Sequence, residues 1–111
     1  MALRGLRNQA APGAGATEKI YTAPSDIRFG ILTWSASNRS GVADAITVRR
    51  AIRGAAAANG DSWVFGKALA GNASDNDQNF KRIALPGDEV RVSSANGTVD
   101  FEVNVLEFTE T

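Results

Sequence analysis

Residues 89–105, EVRVSSANGTVDFEVNV, decide the fold. Val90 and Val92 alternate with Glu89 and Arg91, and further on Val99, Phe101, Val103 and Val105 alternate with Asp100, Glu102 and Asn104. A period of two is the mark of a strand with one dry and one wet face. Between the two runs stands Asn96-Gly97, the strongest hairpin signal in the chain because both residues tolerate positive φ. Beyond Val105, Leu106 and Phe108 fall on the wet parity, so this end of the strand is expected to be covered by another segment or another subunit.

Working upstream, Pro86-Gly87-Asp88 closes a strand from Phe80 to Leu85, with Gly87 suited to the positive φ of a type II turn. Residues 71–79 are polar and read as a loop. Ser62 to Leu69 is a strand with Trp63, Phe65 and Leu69 on one parity. The Ala55 to Ala58 run, which a helical turn would suit, and the turn Asn59-Gly60-Asp61 separate it from a strand over Ala45 to Arg53. There Ile46, Val48 and Ile52 face one way, and Thr47, Arg49 and Arg53 the other. Arg50 shares the apolar parity, so its head either escapes to solvent at the rim, the commoner outcome, or meets a carboxylate in a partly buried site. Ile27 to Ser37 begins on Ile27, Phe29 and Ile31 and switches to Leu32, Trp34 and Ala36; a bulge at Gly30 accounts for the switch. With Glu18 to Thr22 in front, this makes about seven short strands separated by turn signals, the appearance of an antiparallel sandwich or barrel.

Composition limits the chemistry. The 111 residues contain no His and no Cys, which excludes an imidazole base, a thiolate nucleophile and the usual zinc and Fe–S ligand sets. The length suits one domain with one core. Net charge is zero, from 12 cations and 12 acids, but unevenly spread. Residues 1–53 carry eight cations against Glu18, Asp26 and Asp44, a balance of +5, and the remainder carries four cations against nine acids, −5. Oppositely charged halves are expected to attract copies of the chain, and overall neutrality argues against nucleic acid as a partner. The opening residues lack the apolar h-region of a secretory signal, and no apolar run reaches membrane-spanning length, so no membrane partner is expected. The sequons at Asn38, Asn72 and Asn96 fall where turns are expected.

Residues 1–16, MALRGLRNQAAPGAGA, show no strand or helix period and read as a flexible N-terminal arm ahead of a domain over 17–111. Leu3, Arg4, Leu6 and Arg7 make its tip apolar and basic, suited to a neighbouring subunit, with Glu107 and Glu110 as acceptors. Other candidates read as ordinary structure. Gly13-Ala14-Gly15 lacks the strand and the lysine of a phosphate loop. Asp75-Asn76-Asp77-Gln78-Asn79 is oxygen-rich but lacks the glycine and bidentate glutamate of a calcium loop. Asp100 and Glu102 neighbour one another on one exposed face, which gives neither the separation nor the raised pKa of a glycosidase pair. Arg49 and Arg53, if near Trp34 or Trp63, would suit a stacking and phosphate-binding surface, though tryptophans in the core and arginines facing a neighbour's carboxylates is the plainer arrangement. No catalytic residue, cofactor or metal is assigned.

Four segments together resemble small virion proteins of tailed bacteriophages with a jelly-roll-like β-sandwich: Ile20-Tyr21-Thr22-Ala23-Pro24, Asn38-Arg39-Ser40-Gly41, residues 83–92 (IALPGDEVRV) and Val99-Asp100-Phe101-Glu102-Val103. The resemblance covers roughly Thr17 to Glu107; the Gly54 to Gly60 stretch and the N-terminal arm depart from it. It implies an all-β, single antiparallel sandwich of seven to eight strands and a structural, non-enzymatic role. That role is a capsid decoration or cement protein that stabilises the phage head, located in the virion and assembled in the bacterial host cytoplasm. Its partners would be itself, as a homo-oligomer with a trimer preferred, and the major capsid protein or other virion proteins. The expected assembly residues are Leu3, Arg4, Leu6, Arg7, Arg49, Arg53, Leu106, Glu107, Phe108 and Glu110. The alternatives are a tail or neck component, or a carbohydrate- or receptor-binding module using Trp34, Trp63 or Tyr21.

Overall fold

The computed structural model describes residues 2–54 and 62–109. Eight strands run through them: β1 (Leu3–Ala10), β2 (Thr17–Thr22), β3 (Ile27–Asn38), β4 (Asp44–Ala51), β5 (Ser62–Leu69), β6 (Ser74–Ala84), β7 (Glu89–Ser94) and β8 (Val99–Thr109). They form two four-stranded sheets, sheet A in the order β1-β8-β3-β6 and sheet B in the order β2-β7-β4-β5. Strand β1 pairs with β8, β2 with β7, β3 with β6 and β4 with β5, all antiparallel. The chain is therefore one long double ribbon, folded back between β4 and β5, and it wraps so that β3 also meets β8 and β4 meets β7. That nested pairing is the jelly roll.

The wrap sets the fate of the charges. Because the first half of the chain lies antiparallel to the second, cations of residues 1–53 meet acids of the remainder: Arg4–Glu107, Arg7–Glu102, Lys19–Glu89, Arg39–Asp100 and Arg50–Asp88. The charge asymmetry expected to draw copies together is used to a large extent inside one chain.

Alternation fills the space between the sheets. Val99, Phe101, Val103 and Val105 of β8 and Leu32, Trp34 and Ala36 of β3 face Ile46 and Val48 of β4 and Val90 and Val92 of β7, all buried. At about 1.5–3 kcal/mol for each large apolar side chain removed from water, this layer is the main source of stability.

Five local expectations are corrected. First, residues 3–10 are not a tether outside the sandwich but its first strand, so the division at residue 16 does not hold; 11–16 remain a loop. The period of two escaped notice because two of the four inward positions are polar and carry partners. Arg4 reaches Glu107, and Asn8 Nδ2 donates to the Ile20 carbonyl at 2.8 Å. Second, β6 begins at Ser74, within the segment read as a polar loop. It is an edge strand, where polar residues are the rule. Third, Asn96-Gly97 and Pro86-Gly87 are turns with positive φ at the glycine, but each links one sheet to the other and closes no hairpin. Fourth, the register of β3 shifts between Ile27 and Phe29 against β8 and between Leu32 and Trp34 against β6, not at Gly30. Gly30 makes room instead: a Cβ there would stand 3.3 Å from Val105 Cγ1 and 3.4 Å from the Tyr21 hydroxyl. Fifth, β4 ends at Ala51, and Ile52–Gly54 is a short 3-10 segment kinked at its middle residue. Its Arg53 sits at φ 52, held by its N–H donating to Asp88 Oδ1 at 3.0 Å. The expected turns over 55–61 lie outside the described residues.

Candidate interaction surfaces

The strands deliver side chains to the two ends of the sandwich and to the two outer faces. At one end, loops 11–16, 39–43, 70–73 and 95–98 meet around Asn38 and Asp44, both buried. Asp44 Oδ1 accepts from the N–H groups of Ala45 and Asn96, each at 2.8 Å, and its Oδ2 accepts from the Thr98 hydroxyl at 3.0 Å. Burial pushes the Asp44 carboxyl up, but these donors outweigh burial and hold it below the usual range. Asn38 Nδ2 donates to the carbonyls of Val42 and Leu69 at 2.9 and 3.2 Å, and its Oδ1 accepts from Ser40 N–H at 3.0 Å and shares the one Thr98 hydroxyl proton with Asp44, also at 3.0 Å. Neutral donors tie all these loops but the first; that one docks on Gly97, where a Cβ would lie 2.6 Å from the Ala14 nitrogen.

The opposite end is closed by cations. Glu107, buried, accepts from Arg4 Nε and from the Tyr21 hydroxyl, both at 2.6 Å, and Arg4 also pairs with Asp26 at 3.1 Å. Burial, then the Glu107 hydrogen bond, raises the Tyr21 hydroxyl far above the ordinary tyrosine value. Asp88, buried, receives Arg50 at 2.6 Å and the Leu85 N–H at 2.9 Å. Arg50 thus takes the less common of its two expected outcomes.

Sheet A's outer face at this end is apolar. Strand register aligns Leu3, Phe108 and Phe29 on one rung and Gly5, Leu106, Ile31 and Ile83 on the next. Leu3 is 61% exposed, and the Phe29 and Phe108 rings stack at 4.6 Å. Toward the other end the same face turns polar, with Arg7 and Asn104, then Gln9, Glu102 and Ser35. Sheet B's outer face carries a cationic rung, Lys19, Arg91 and Arg49. Glu89 contacts Arg91 at 2.7 Å and Lys19 at 3.7 Å, while Arg49 lies 5.5 Å over the exposed Phe65 ring.

Comparison with protein-family models and with curated proteins finds no match. Among solved structures, the fold is similar to a chain of the T13 IBDV viral particle, with a TM-score of 0.51 and 9% identity. What is shared is the fold. The match covers 96% of this chain but 31% of that one, so the present chain spans under a third of its length.

The jelly roll gathers some of the expected assembly residues and disperses others. Leu3, Leu106 and Phe108 come together on the outer patch, with Arg7 at its border. Leu6 turns inward against the core, and Arg4 and Glu107 pair with each other inside one chain. Arg49 lies on sheet B, apart from Arg53 in the 3-10 turn; Glu110 lies outside the described residues. Phe29, Ile31 and Ile83 were missed as members of the patch; the parity of Phe29 and Ile31 with Leu106 and Phe108 follows once the bulge is moved to Arg28, and Ile83 joins them by pairing with Ile31. Tyr21 and Trp34 are buried, and Trp63 is half-buried with Arg82 5.5 Å over its ring. Asp75 to Asn79 lie within β6, and Asp75 pairs with Lys67 at 2.7 Å. Among the described residues no group of three or more acids gathers as a metal site.

Proposed function

We propose that this chain is a virion structural protein, a decoration or cement subunit that self-associates and reinforces a capsid shell. The observation that carries the reading is the apolar patch on the outer face of sheet A, six large side chains gathered on two adjacent rungs, whereas Val42, Ile52, Phe65 and Leu85, also exposed among the described residues, lie off these rungs. Contiguous apolar surface of this kind marks an interaction site. The likeness of fold to a chain of an icosahedral virus particle supports the virion setting. The cationic rung of sheet B supplies the second surface, facing carboxylates on the shell. Many weak copies of such a contact sum to firm attachment. No catalysis is assigned to the chain.

Particles prepared with and without the protein test the reading. Particles lacking it are expected to lose resistance to heat and osmotic shock and to regain it on adding back the purified chain. Arg49→Glu is expected to compete poorly with the unaltered chain for incorporation. Equal resistance with and without the protein overturns the cement role. A sugar-binding module is disfavoured by the burial of Tyr21 and Trp34.

A further inference from the structure

We propose that two copies of this chain pair face to face through sheet A, each seating its Leu3 in a dent above the partner's Gly5. The inference rests on the self-association in the reading above and gives it a geometry. Leu3 and Gly5 stand two residues apart on β1, on the same outer face and on adjacent rungs. Leu3 protrudes, 61% exposed. At Gly5 a Cβ would meet nothing within 4 Å, and the space around it is a shallow dent of about 480 Å³ lined by Gly5, Leu6, Arg7, Asn104, Val105 and Leu106. One strand thus carries a projection and, one rung along, a hollow able to receive it.

A two-fold axis lying in the contact plane, across the strands and midway between these rungs, exchanges them. It sets Leu3 over the partner's Gly5, Phe108 over the partner's Leu106 and Phe29 over the partner's Ile31, and each contact recurs reciprocally, as an isologous interface requires. Charge agrees with the same operation. Arg7 borders the patch on one side and Asp26 stands in the turn before β3 beyond the other, with side chains 64% and 60% exposed; within one chain they meet Glu102 and Arg4, and the rotation brings each Arg7 to the side on which the partner's Asp26 stands. The patch supplies both halves of the fit, which is why the occupant is a second copy, and the symmetry it dictates is two-fold, where the sequence reading preferred a trimer.

Sedimentation equilibrium on the full chain tests this. The unaltered protein is expected to form dimers. Gly5→Leu places its Cβ in open space above the hollow and is expected to keep the thermal midpoint of the subunit while weakening the dimer by about tenfold or more. Leu3→Gly is expected to weaken it similarly. The double variant Leu3→Gly with Gly5→Leu exchanges projection and hollow and is expected to recover the dimer. A monomer or trimer in the unaltered protein, or a Gly5→Leu chain that dimerises undiminished, overturns the proposal. Dimers that form in solution but fail to reinforce particles would sink the virion role and leave the pairing intact.

Discussion

The two ends of the sandwich solve the same problem with different chemistry. Each must bury a carboxylate where strands leave the sheets. At the end holding loops 39–43 and 95–98, Asp44 is met by backbone N–H groups and a hydroxyl. At the end near the termini, Glu107 and Asp88 are met by Arg4 and Arg50, and Tyr21 completes the shell of Glu107. Neutral donors fixed in the backbone demand one loop geometry, so the Asp44 end is closed and specific. Arginines reach in from a distance on long side chains and fix the loop geometry less tightly, so the other end is the more open of the two. The apolar patch of sheet A lies at this second end.

The largest break in this comparison removes β1. Deleting residues 2–10 takes away Arg4, exposes the flank of β8 and leaves Glu107 without its cation. The loss is expected to approach the whole stability of a small domain, about 5 kcal/mol, so calorimetry should show little or no cooperative unfolding. A truncated chain melting as sharply and as high as the full one would return residues 1–16 to a mere tether.

Next comes Asp44→Ala, which leaves the N–H groups of Ala45, Asn96 and Thr98 without their acceptor. At about 1–3 kcal/mol for each buried donor left unmade, partly relieved by water at this end, a loss of about 3 kcal/mol is expected in urea unfolding. Glu107→Gln should cost less, about 2 kcal/mol, since the amide keeps the shape and one acceptor while Arg4 retains Asp26. If Glu107→Gln proved the costlier, the arginine-closed end would be the more specific of the two.

These two ends were unequally legible. Alternation on β7 and β8 exposed the core and the outward position of Leu106 and Phe108 directly, because one face of those strands is dry. The edge strands hid themselves: Arg4 and Asn8 occupy inward positions that a hydropathy period rejects, and their partners Glu107 and Ile20 lie far off in sequence. Asn96-Gly97 announced a turn but not its destination. A backbone that prefers positive φ is local information, whereas capture of the Asn96 and Thr98 N–H groups by Asp44, which directs the chain to the other sheet, is not. The patch was seen in half, since placing the bulge at Gly30 instead of Arg28 assigned Phe29 and Ile31 to the interior.

The smallest expected effect separates the two ends by pH. Asp44 titrates below an unfolded aspartate, near pH ~4, so its contribution is complete above that value and fades as pH falls through the folded value, where both states are protonated. Asp26 is also lowered, by Arg4, but it is too exposed to weigh much; Glu89 is lowered by the hydrogen bond from Arg91 and adds to the acid limb from the other end. Tyr21 behaves in the opposite sense. Its hydroxyl is held far above the unfolded value of ~10, so its contribution is complete below pH ~10 and declines above it, as the unfolded chain ionises and the folded one does not. Stability is therefore expected to fall on the acid side with Asp44 of the closed end contributing, and on the alkaline side through Tyr21 of the open end. Asp44→Asn should flatten the acid limb of the stability profile and leave the alkaline limb, while Tyr21→Phe should do the reverse. Tyr21→Phe also removes one donor from a buried carboxylate, so a loss of about 1–2 kcal/mol at neutral pH is expected. Urea titrations from pH 3 to 11 read both limbs on one axis, and an alkaline limb unchanged by Tyr21→Phe would mean that the Tyr21–Glu107 contact does not hold the open end.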